Sequence, residues 1–361
     1  MHAVFRRAIC VSLLVLAMSA QAQTTQRQFQ LQKTGDAPPA LRLVDAPVRQ
    51  PGEHEVLVRV HAVSLNRRDV YVMRGQYPGP MKPNLVPLSD GAGEVVATGA
   101  GVKRFRKGDR VAAIFFQTWL DGRPNPAMFA AALGGSVDGM LSQYVTLNEN
   151  GLVAIPKHLS YEEAATLPCA GVTAWNALVT RGHTQPGDYV LLQGTGGVSI
   201  LGLQLALALG GKPVITSSSD DKLARAKQLG ALVGINYKTT PEWDKAVLEA
   251  TGGGVQQALE VGGKQTIGKT LASLAPGGHV ALIGGLSEFG GDIPAYSLMG
   301  RNATASGLYV GSRADFEALN AFLDKHHFKP VIDKVFEFEK SAEAFAYMDS
   351  GSLFGKVVIR L

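Results

Sequence analysis

Cysteine is almost absent from this sequence, whose 361 residues contain only Cys10 and Cys169. Cys10 lies within an apolar N-terminal stretch that we expect to be removed. Cys169 is then the only cysteine of the mature chain, and an intramolecular disulfide is excluded. The covalent stapling typical of small secreted domains is therefore excluded, and the fold must depend on its core.

Long apolar runs and blocks of like charge are also missing. The apolar stretch at residues 8–18 is shorter than the ~20 residues that span a bilayer, and no later stretch is a transmembrane candidate. The net charge is +5, and no five consecutive residues carry the same charge. We therefore expect a small-molecule substrate, and neither nucleic acid nor a membrane, as the partner.

The N-terminus has the pattern of an export signal. Arg6 and Arg7 precede the apolar stretch, and Ala20-Gln21-Ala22 is a small-x-small cleavage site. We predict a signal peptide at residues 1–22 and a periplasmic or secreted protein. An uncleaved tail on a cytoplasmic protein is the alternative, and Arg6-Arg7 also leaves open twin-arginine export of a folded, cofactor-loaded protein.

Short strands separated by glycine and proline dominate the first part of the chain. They are predicted at Phe29–Lys33, Glu55–Val63, Gly93–Thr98, Arg110–Phe115 and Ser142–Thr146. Leu120–Val137 shows little periodicity and is predicted to be a loop or lid. This part is interpreted as a mainly β domain.

From Tyr189 onward, strands alternate with helices, which is typical of a parallel sheet covered on both faces. The predicted strands are Tyr189–Gln193, Val214–Thr216, Val233–Asn236, Gln257–Val261 and Val280–Ile283. The predicted helices are Val198–Leu209, Asp221–Leu229, Glu242–Thr251, Thr266–Leu274 and, in the tail, Ala314–His326, before a final strand at 355–359.

The most informative motif lies between the first of these strands and its helix. A glycine at 194 permits a tight turn, and one at 196 lets the backbone approach a pyrophosphate at the helix N-terminus. Ser199 occupies the third fingerprint position, where glycine is usual. We predict a dinucleotide site; a structural turn and a methyltransferase are the alternatives. Its cofactor-binding residues are Gly194, Thr195, Gly196, Gly197 and Val198.

The end of the second strand indicates which dinucleotide binds. NAD-binding folds place an acidic residue there for the ribose, and this sequence has Ser217. Ser217 and Ser218, with Lys222 or Arg225 nearby, favour a 2′-phosphate and hence NADP. NAD stays open, because Lys222 and Arg225 could form a solvated helix face while Asp220 or Asp221 reaches the ribose.

Together with this turn, several motifs make the chain resemble the medium-chain dehydrogenase/reductase superfamily, near its zinc-independent quinone oxidoreductase-like and zinc-type alcohol dehydrogenase-like branch. The resemblance covers about Phe29 to Leu361, and its motifs are Pro51–Val58, Asn66-Arg67-Arg68-Asp69, Gly91–Val95 and Phe105–Val111.

The fold that this resemblance implies is α/β, a GroES-like mainly β catalytic domain plus a doubly wound Rossmann domain with a parallel sheet. The expected ranges are 28–170 for the first part of the catalytic domain, 171–306 for the Rossmann domain and 307–361 for the part that completes the catalytic domain. The resemblance also implies a homodimer.

Zinc-dependent members of the superfamily bind their catalytic metal through Cys, His and Cys. The matching positions here hold Asn66, Asp90 and Cys169, and the cysteines of the structural zinc lobe are absent. A catalytic zinc needs about three protein ligands, normally His, Cys or carboxylate. We therefore expect no metal, with Cys169 a small apolar residue beside the nicotinamide.

The resemblance also suggests the site residues. It places Asn66, Asp69, Tyr71 and Tyr77 around the substrate cleft as catalytic residues, with a tyrosine as the proton donor, although either tyrosine could be a wall residue. Further cofactor-binding residues by position are Cys169, Thr173, Tyr237, Gly284, Leu308 and Lys356.

The expected activity is zinc-independent hydride transfer from NADPH to a small carbonyl, quinone or enone. The alternatives are a metal-free alcohol dehydrogenase that uses NAD(P) and a catalytically silent nucleotide-binding protein.

Overall fold

A computed structural model describes residues 24–33, 39–79, 81–288 and 290–361 of the chain. The predicted signal peptide at residues 1–22 lies outside these residues and stays a prediction. Within them, no helix combines the length and the apolar character needed to cross a membrane.

The strands and helices alternate most regularly in the second half of the chain. The strands are β1 (Thr25–Gln32), β2 (Ala40–Pro47), β3 (Glu55–Leu65), β4 (Asp90–Thr98), β5 (Arg110–Ala113), β6 (Tyr144–Asn148), β7 (Leu152–Ala154), β8 (Tyr189–Gln193), β9 (Lys212–Ser217), β10 (Val233–Asn236), β11 (Val255–Glu260), β12 (Leu274–Leu282), β13 (Thr304–Gly307), β14 (Ile332–Glu337) and β15 (Lys356–Arg360).

The α-helices are α1 (Arg67–Met73), α2 (Tyr161–Ala165), α3 (Val172–Trp175), α4 (Gly197–Ala208), α5 (Asp220–Gln228), α6 (Trp243–Thr251), α7 (Ile267–Ala272), α8 (Ala295–Met299), α9 (Arg313–His326) and α10 (Ser341–Asp349). Short 3₁₀ helices lie at Pro126–Ala131, Glu149–Gly151 and Phe338–Lys340, and π-helical turns lie at Leu167–Gly171 and Asn176–Thr180.

The predicted parallel sheet is confirmed. Its strand order is β10-β9-β8-β11-β12-β13, and every neighbouring pair is parallel. Numbered in chain order within this sheet, the strands have the 3-2-1-4-5-6 order of the Rossmann fold. The strand order reverses between β8 and β11, which are themselves parallel. Val190, Leu191 and Leu192 are fully buried, as expected for a strand covered by helices on both faces.

The second large sheet is mixed, with the order β14-β15-β3-β4-β5-β7 and with β6 also paired to β3. Its first two strands come from the C-terminus, and β15 runs antiparallel to β3 from Val357 opposite Leu65 to Arg360 opposite Ala62. The chain therefore leaves the mixed sheet, builds the parallel sheet and returns. The mainly β domain expected alongside the Rossmann domain is confirmed.

Several elements differ from the sequence-based predictions. β1 begins at Thr25, inside a polar stretch, because its polar side chains find partners: the Gln26 carboxamide accepts from the Ser142 hydroxyl at 2.9 Å and from the Tyr144 N–H. The sequence patterns do not predict the strands β2, β7, β13 and β14 or the helices α1, α2, α3, α8 and α10. The predicted loop at 120–137 contains the 3₁₀ helix Pro126–Ala131.

The helix α9 gives a test of the core. Phe316 in α9 is fully buried, so Phe316→Ala leaves a cavity, and we expect a loss of about 3–5 kcal/mol in the free energy of unfolding. Tyr296→Ala is the control, because Tyr296 is 80% exposed and its removal should change stability by less than about 0.5 kcal/mol. Urea unfolding measures both; equal effects would contradict the placement of α9.

Candidate functional site

Most of the predicted cofactor residues lie at one edge of the parallel sheet. Gly194 follows β8, Ser218 follows β9, Tyr237 follows β10, Gly284 lies two residues beyond β12, and Leu308 follows β13. Carboxyl ends of parallel strands share one edge, and ligands of this fold bind there at the point where strand order reverses. The structure therefore brings these five positions to the edge where a dinucleotide would bind.

The turn after β8 has the geometry that a pyrophosphate requires. Gly194 has φ +69°, a left-handed conformation that favours glycine. A Cβ built at Gly194 or Gly196 would meet no protein atom within 4 Å, and no side chain caps α4 at Gly196. The N-terminus of α4 is thus open to an anion.

Ser199 does more than replace a glycine. Its buried hydroxyl donates to the Gln193 carbonyl at 2.6 Å, which ties the first turn of α4 to the end of β8. The hydrogen bond supports the close helix–strand packing that glycine supplies elsewhere.

A buried glutamate that sequence reasoning missed holds the neighbouring strand end in place. The Glu260 carboxylate accepts from the Gln193 side chain at 2.8 Å and from the backbone N–H groups of Gly262 and Gly263 at 2.7 and 2.8 Å. Thr266 and Thr270 also donate to it. Glu260 is the last residue of the largely buried strand β11, but nothing local in the sequence identifies its partners.

The end of β9 carries the residues expected to select the cofactor. Ser217 is only 3% exposed, and its hydroxyl accepts from the Ser219 N–H at 3.3 Å, whereas Ser218 is half-buried. The Lys222 ammonium donates to the Gly351 carbonyl at 2.9 Å, and burial lowers its pKa. Tyr237 is exposed and lies beside this turn, since its N–H donates to the Ser217 carbonyl.

Arg225, the other cation that the sequence offered, faces the C-terminal segment. Its guanidinium donates to the Asp333 carboxylate at 3.1 Å and lies over the Phe354 ring, 4.1 Å from the centroid. Lys222 is therefore the better placed of the two for a ligand at Ser217 and Ser218.

Helix α1 positions three of the predicted catalytic residues. Asn66 is its N-cap, and the Asp69 carboxylate accepts from the Asn66 backbone N–H at 2.7 Å in a capping box. Asp69 is almost completely buried, and this burial raises its pKa from 3.8 to about 6, although the nearby Arg68 opposes the rise. Tyr71 lies in the same helix and is half-buried.

Arg68 is a site residue that sequence reasoning did not single out. Its guanidinium donates to the carbonyls of Leu133 and Gly134 at 3.0 and 3.1 Å and contacts the Asp69 carboxylate at 3.3 Å. It also lies between two aromatic rings, 4.8 Å from the centroid of Tyr77 and 4.7 Å from that of Phe115. Burial raises the pKa of Tyr77.

Lys356 reaches from β15 into the region of α1. Its ammonium donates to the Leu65 carbonyl at 2.8 Å, to Asn66 Oδ1 at 2.6 Å and to Asp90 Oδ2 at 3.4 Å. Lys356 is 2% exposed and Asp90 is fully buried, and the Ser89 hydroxyl donates to Asp90 at 2.7 Å. The lysine therefore lies between two of the positions that bind zinc in metal-dependent relatives.

Cys169, at the third of those positions, lies in the π-helical turn Leu167–Gly171 and is half-buried. Burial and the nearby Asp90 carboxylate raise the pKa of its thiol. A thiol with a raised pKa is a poor nucleophile, since that role needs the thiolate. Thr173 follows in α3 and is buried. Within the described ranges, no three His, Cys, Asp or Glu side chains form a metal-binding group.

Two family models match the chain. The model "Alcohol dehydrogenase GroES-like domain" matches residues 52–157, and the model "Zinc-binding dehydrogenase" matches residues 197–325. The first range contains β3 to β7 of the mixed sheet, and the second contains β9 to β13 of the parallel sheet and all but the last residue of the helices from α4 to α9.

Three known proteins are similar to the chain in sequence or in structure. A zinc-type alcohol dehydrogenase-like protein of Schizosaccharomyces pombe is 45% identical over 318 residues, which are 86% of this chain and 91% of that protein. The crystal structure of an NAD-dependent alcohol dehydrogenase has a TM-score of 0.83 at 33% identity, covering 93% of this chain and 99% of the other.

The third similar protein is the 2-octenoyl-CoA carboxylase reductase CinF, whose structure was solved in complex with NADP and 2-octenoyl-CoA. It has a TM-score of 0.82 at 26% identity, and the match covers 93% of this chain and 87% of that protein.

The buried Asp69 predicts an unusual pH dependence of stability. Because its folded pKa of about 6 exceeds its ordinary value of 3.8, the folded state keeps the proton between these pH values while the unfolded state has lost it. The contribution to stability is complete below pH 3.8 and is lost as the pH rises through about 6, by about 3 kcal/mol at 1.36 kcal/mol per pKa unit.

Asp69→Asn removes this titration and keeps an acceptor for the Asn66 N–H. Between pH 4 and 7, the free energy of unfolding of wild type, minus that of the variant, should fall by roughly this amount. Denaturant titrations at half-unit pH steps measure it, and a difference that does not change with pH would contradict the burial of an ionisable Asp69.

Proposed function

Because the chain belongs to the medium-chain dehydrogenase/reductase superfamily and is an alcohol dehydrogenase-like, NAD(P)-dependent oxidoreductase, we propose that it is a zinc-independent NADP(H)-dependent enzyme. Its reaction is hydride transfer to a small carbonyl, quinone or enone. The observation that carries the proposal is the position of Lys356, whose ammonium lies between Asn66 and Asp90.

This lysine argues against a catalytic zinc. The three positions that would bind the metal offer an amide, a carboxylate paired with Lys356, and one thiol. A second cation beside the ammonium would meet like-charge repulsion and would have to displace it from its acceptors. These residues do not fit a zinc ion.

NADP rather than NAD is supported by the end of β9. Ser217 replaces the acidic residue that binds the ribose of NAD, so no carboxylate there repels a 2′-phosphate. Lys222 lies in the first turn of α5, and its ammonium donates to the neutral Gly351 carbonyl with the Asp333 carboxylate nearby, so a phosphate could compete for it. The similar proteins include NADP-bound CinF and an NAD-dependent alcohol dehydrogenase, so they do not select one cofactor. The proposal of NADP therefore rests on Ser217 and Lys222.

The bound cofactor supplies the hydride, and the chain supplies orientation and a proton. Asn66 hydrogen-bonds and orients the substrate, and Tyr77 or Tyr71 donates the proton to its oxygen. The raised pKa of Tyr77 keeps its phenol protonated at neutral pH and hence able to donate. The homodimer implied by the resemblance is part of the proposal.

Turnover tests the proposed reaction. With a panel of quinones, enones and aldehydes, we expect substrate-dependent oxidation of NADPH, followed at 340 nm. Incubation with a chelator should change the rate less than about twofold, because no step depends on a metal. A zinc-dependent alcohol dehydrogenase treated in parallel is the control for the chelator. NADPH binding without turnover, or activity that returns only with added zinc, would contradict the proposal.

Cofactor preference gives an independent prediction. Ser217→Asp places a carboxylate where NAD-binding folds bind the ribose, so the ratio of kcat/KM for NADPH to that for NADH should fall by about tenfold or more.

A matched pair on α5 checks the role of charge. Lys222→Gln should raise the KM for NADPH and leave that for NADH unchanged, whereas Lys227→Gln, which alters an exposed lysine of the same helix, should change neither. An unchanged preference in both Ser217→Asp and Lys222→Gln would reject NADP.

A further inference from the structure

The amide of Asn66 is held in one orientation by a donor that cannot accept. Asn66 Oδ1 lies 2.6 Å from the Lys356 ammonium, which has three N–H donors and no acceptor. Turning the amide over would place its NH₂ group against the ammonium, with repulsion in place of a hydrogen bond. The carboxamide oxygen must therefore face Lys356, and the nitrogen must face the opposite way.

That nitrogen is left without a partner. Asn66 is 8% exposed, and its Nδ2 is buried and donates to no acceptor within the residues that the structure describes. Buried donors in folded proteins are paired in the great majority of cases, so one left over in a cleft indicates the place of a ligand atom. An acceptor such as a carbonyl oxygen would satisfy it.

Lys356 itself has no donor left for a ligand. Its three N–H groups are used by the Leu65 carbonyl, Asn66 Oδ1 and Asp90 Oδ2. It can therefore act on a ligand only through the residues it contacts.

The side chain of Lys356 also contacts the cofactor turn. A Cβ at Gly197 would lie 2.6 Å from Lys356 Cδ, and the Gly355 N–H donates to the Thr195 carbonyl at 2.9 Å. The methylene chain of Lys356 thus passes the start of α4 before its ammonium reaches Asn66. Contacts therefore position both the methylene chain and the ammonium.

We infer that Lys356 is a positioning residue, whose ammonium takes the place of the metal as the buried cation and orients Asn66 so that Nδ2 donates to the substrate oxygen. This inference rests on the proposed reduction of a carbonyl, quinone or enone. Hydride transfer to such a substrate builds negative charge on its oxygen, and a fixed donor there stabilises the transition state.

The test is a double-mutant cycle between the lysine and the asparagine. Lys356→Met is combined with Asp90→Asn, so that no unpaired buried charge remains. Asn66→Leu removes the Nδ2 donor at a similar side-chain size and adds no charge, and the ammonium keeps the Leu65 carbonyl and Asp90 Oδ2 as acceptors. The readouts are kcat and KM for the carbonyl substrate, the Kd of NADPH measured by fluorescence, and the melting temperature.

We expect Asn66→Leu to lower kcat/KM by roughly 100-fold, as loss of a donor to a developing oxyanion does. The lysine pair variant should lower it by about tenfold or more, mainly through kcat. Together the changes should cost little more than Asn66→Leu alone, because residues that act through one another are not additive. The Kd of NADPH should stay within about twofold throughout.

Lys325→Met is the control, since Lys325 is exposed on α9 and should change nothing. Additive losses, or a raised Kd of NADPH with unchanged kcat, would overturn the inference. If the pair variant fails to fold, Lys356→Gln with Asp90→Asn replaces it. A glutamine can both donate and accept and so fixes neither amide orientation, and the same loss is expected.

Failure of the proposed function can be distinguished from failure of the inference on Lys356. A wild-type enzyme that reduces no member of the panel refutes that function, and neutron crystal structures, which locate the amide hydrogens, then decide on Lys356. We expect the Asn66 amide to face Lys356 in wild type and to turn or change rotamer in the pair variant. An amide that keeps its orientation without the lysine would overturn the inference.

Discussion

A buried lysine joins the two sheets of this fold. Lys356 begins β15 in the mixed sheet, while Gly355 before it donates to Thr195 in the dinucleotide turn of the parallel sheet. Its ammonium pairs with Asp90, so neither charge stays unpaired in the interior, where an isolated charge costs several kcal/mol. The cofactor turn, α1 and β15 thus meet at Gly355 and Lys356.

The charges of the cleft balance locally. Asp69 and Asp90 are both buried, and Arg68 and Lys356 lie beside them. Burial raises the pKa of Asp69 even beside Arg68, and the negative charge of Asp90 adds a smaller contribution in the same direction. A thiol in the same field stays protonated. The cleft therefore offers neutral donors and fixed dipoles rather than a nucleophile.

How far the sequence could predict the site depends on the range of each interaction. The turn at Gly194 and the apolar strand before it are local, and β8 has the predicted bounds Tyr189–Gln193. For helix α1 the sequence contains one local signal, the Asn66 to Asp69 spacing of a capping box. A seven-residue helix shows too little periodicity for that signal to predict it. Arg68 could not be found, because its carbonyl acceptors lie 65 and 66 residues away.

The sequence by itself determined the class of protein and its cofactor turn, because glycine chemistry and strand–helix alternation act over a few residues. It also showed that Asn66 and Asp90 stand where metal ligands would be expected. Only the tertiary structure shows which side chain lies between these two positions. Lys356 is separated from Asn66 by 290 residues and from Asp90 by 266, and no local pattern encodes a contact made when the chain returns to its first sheet.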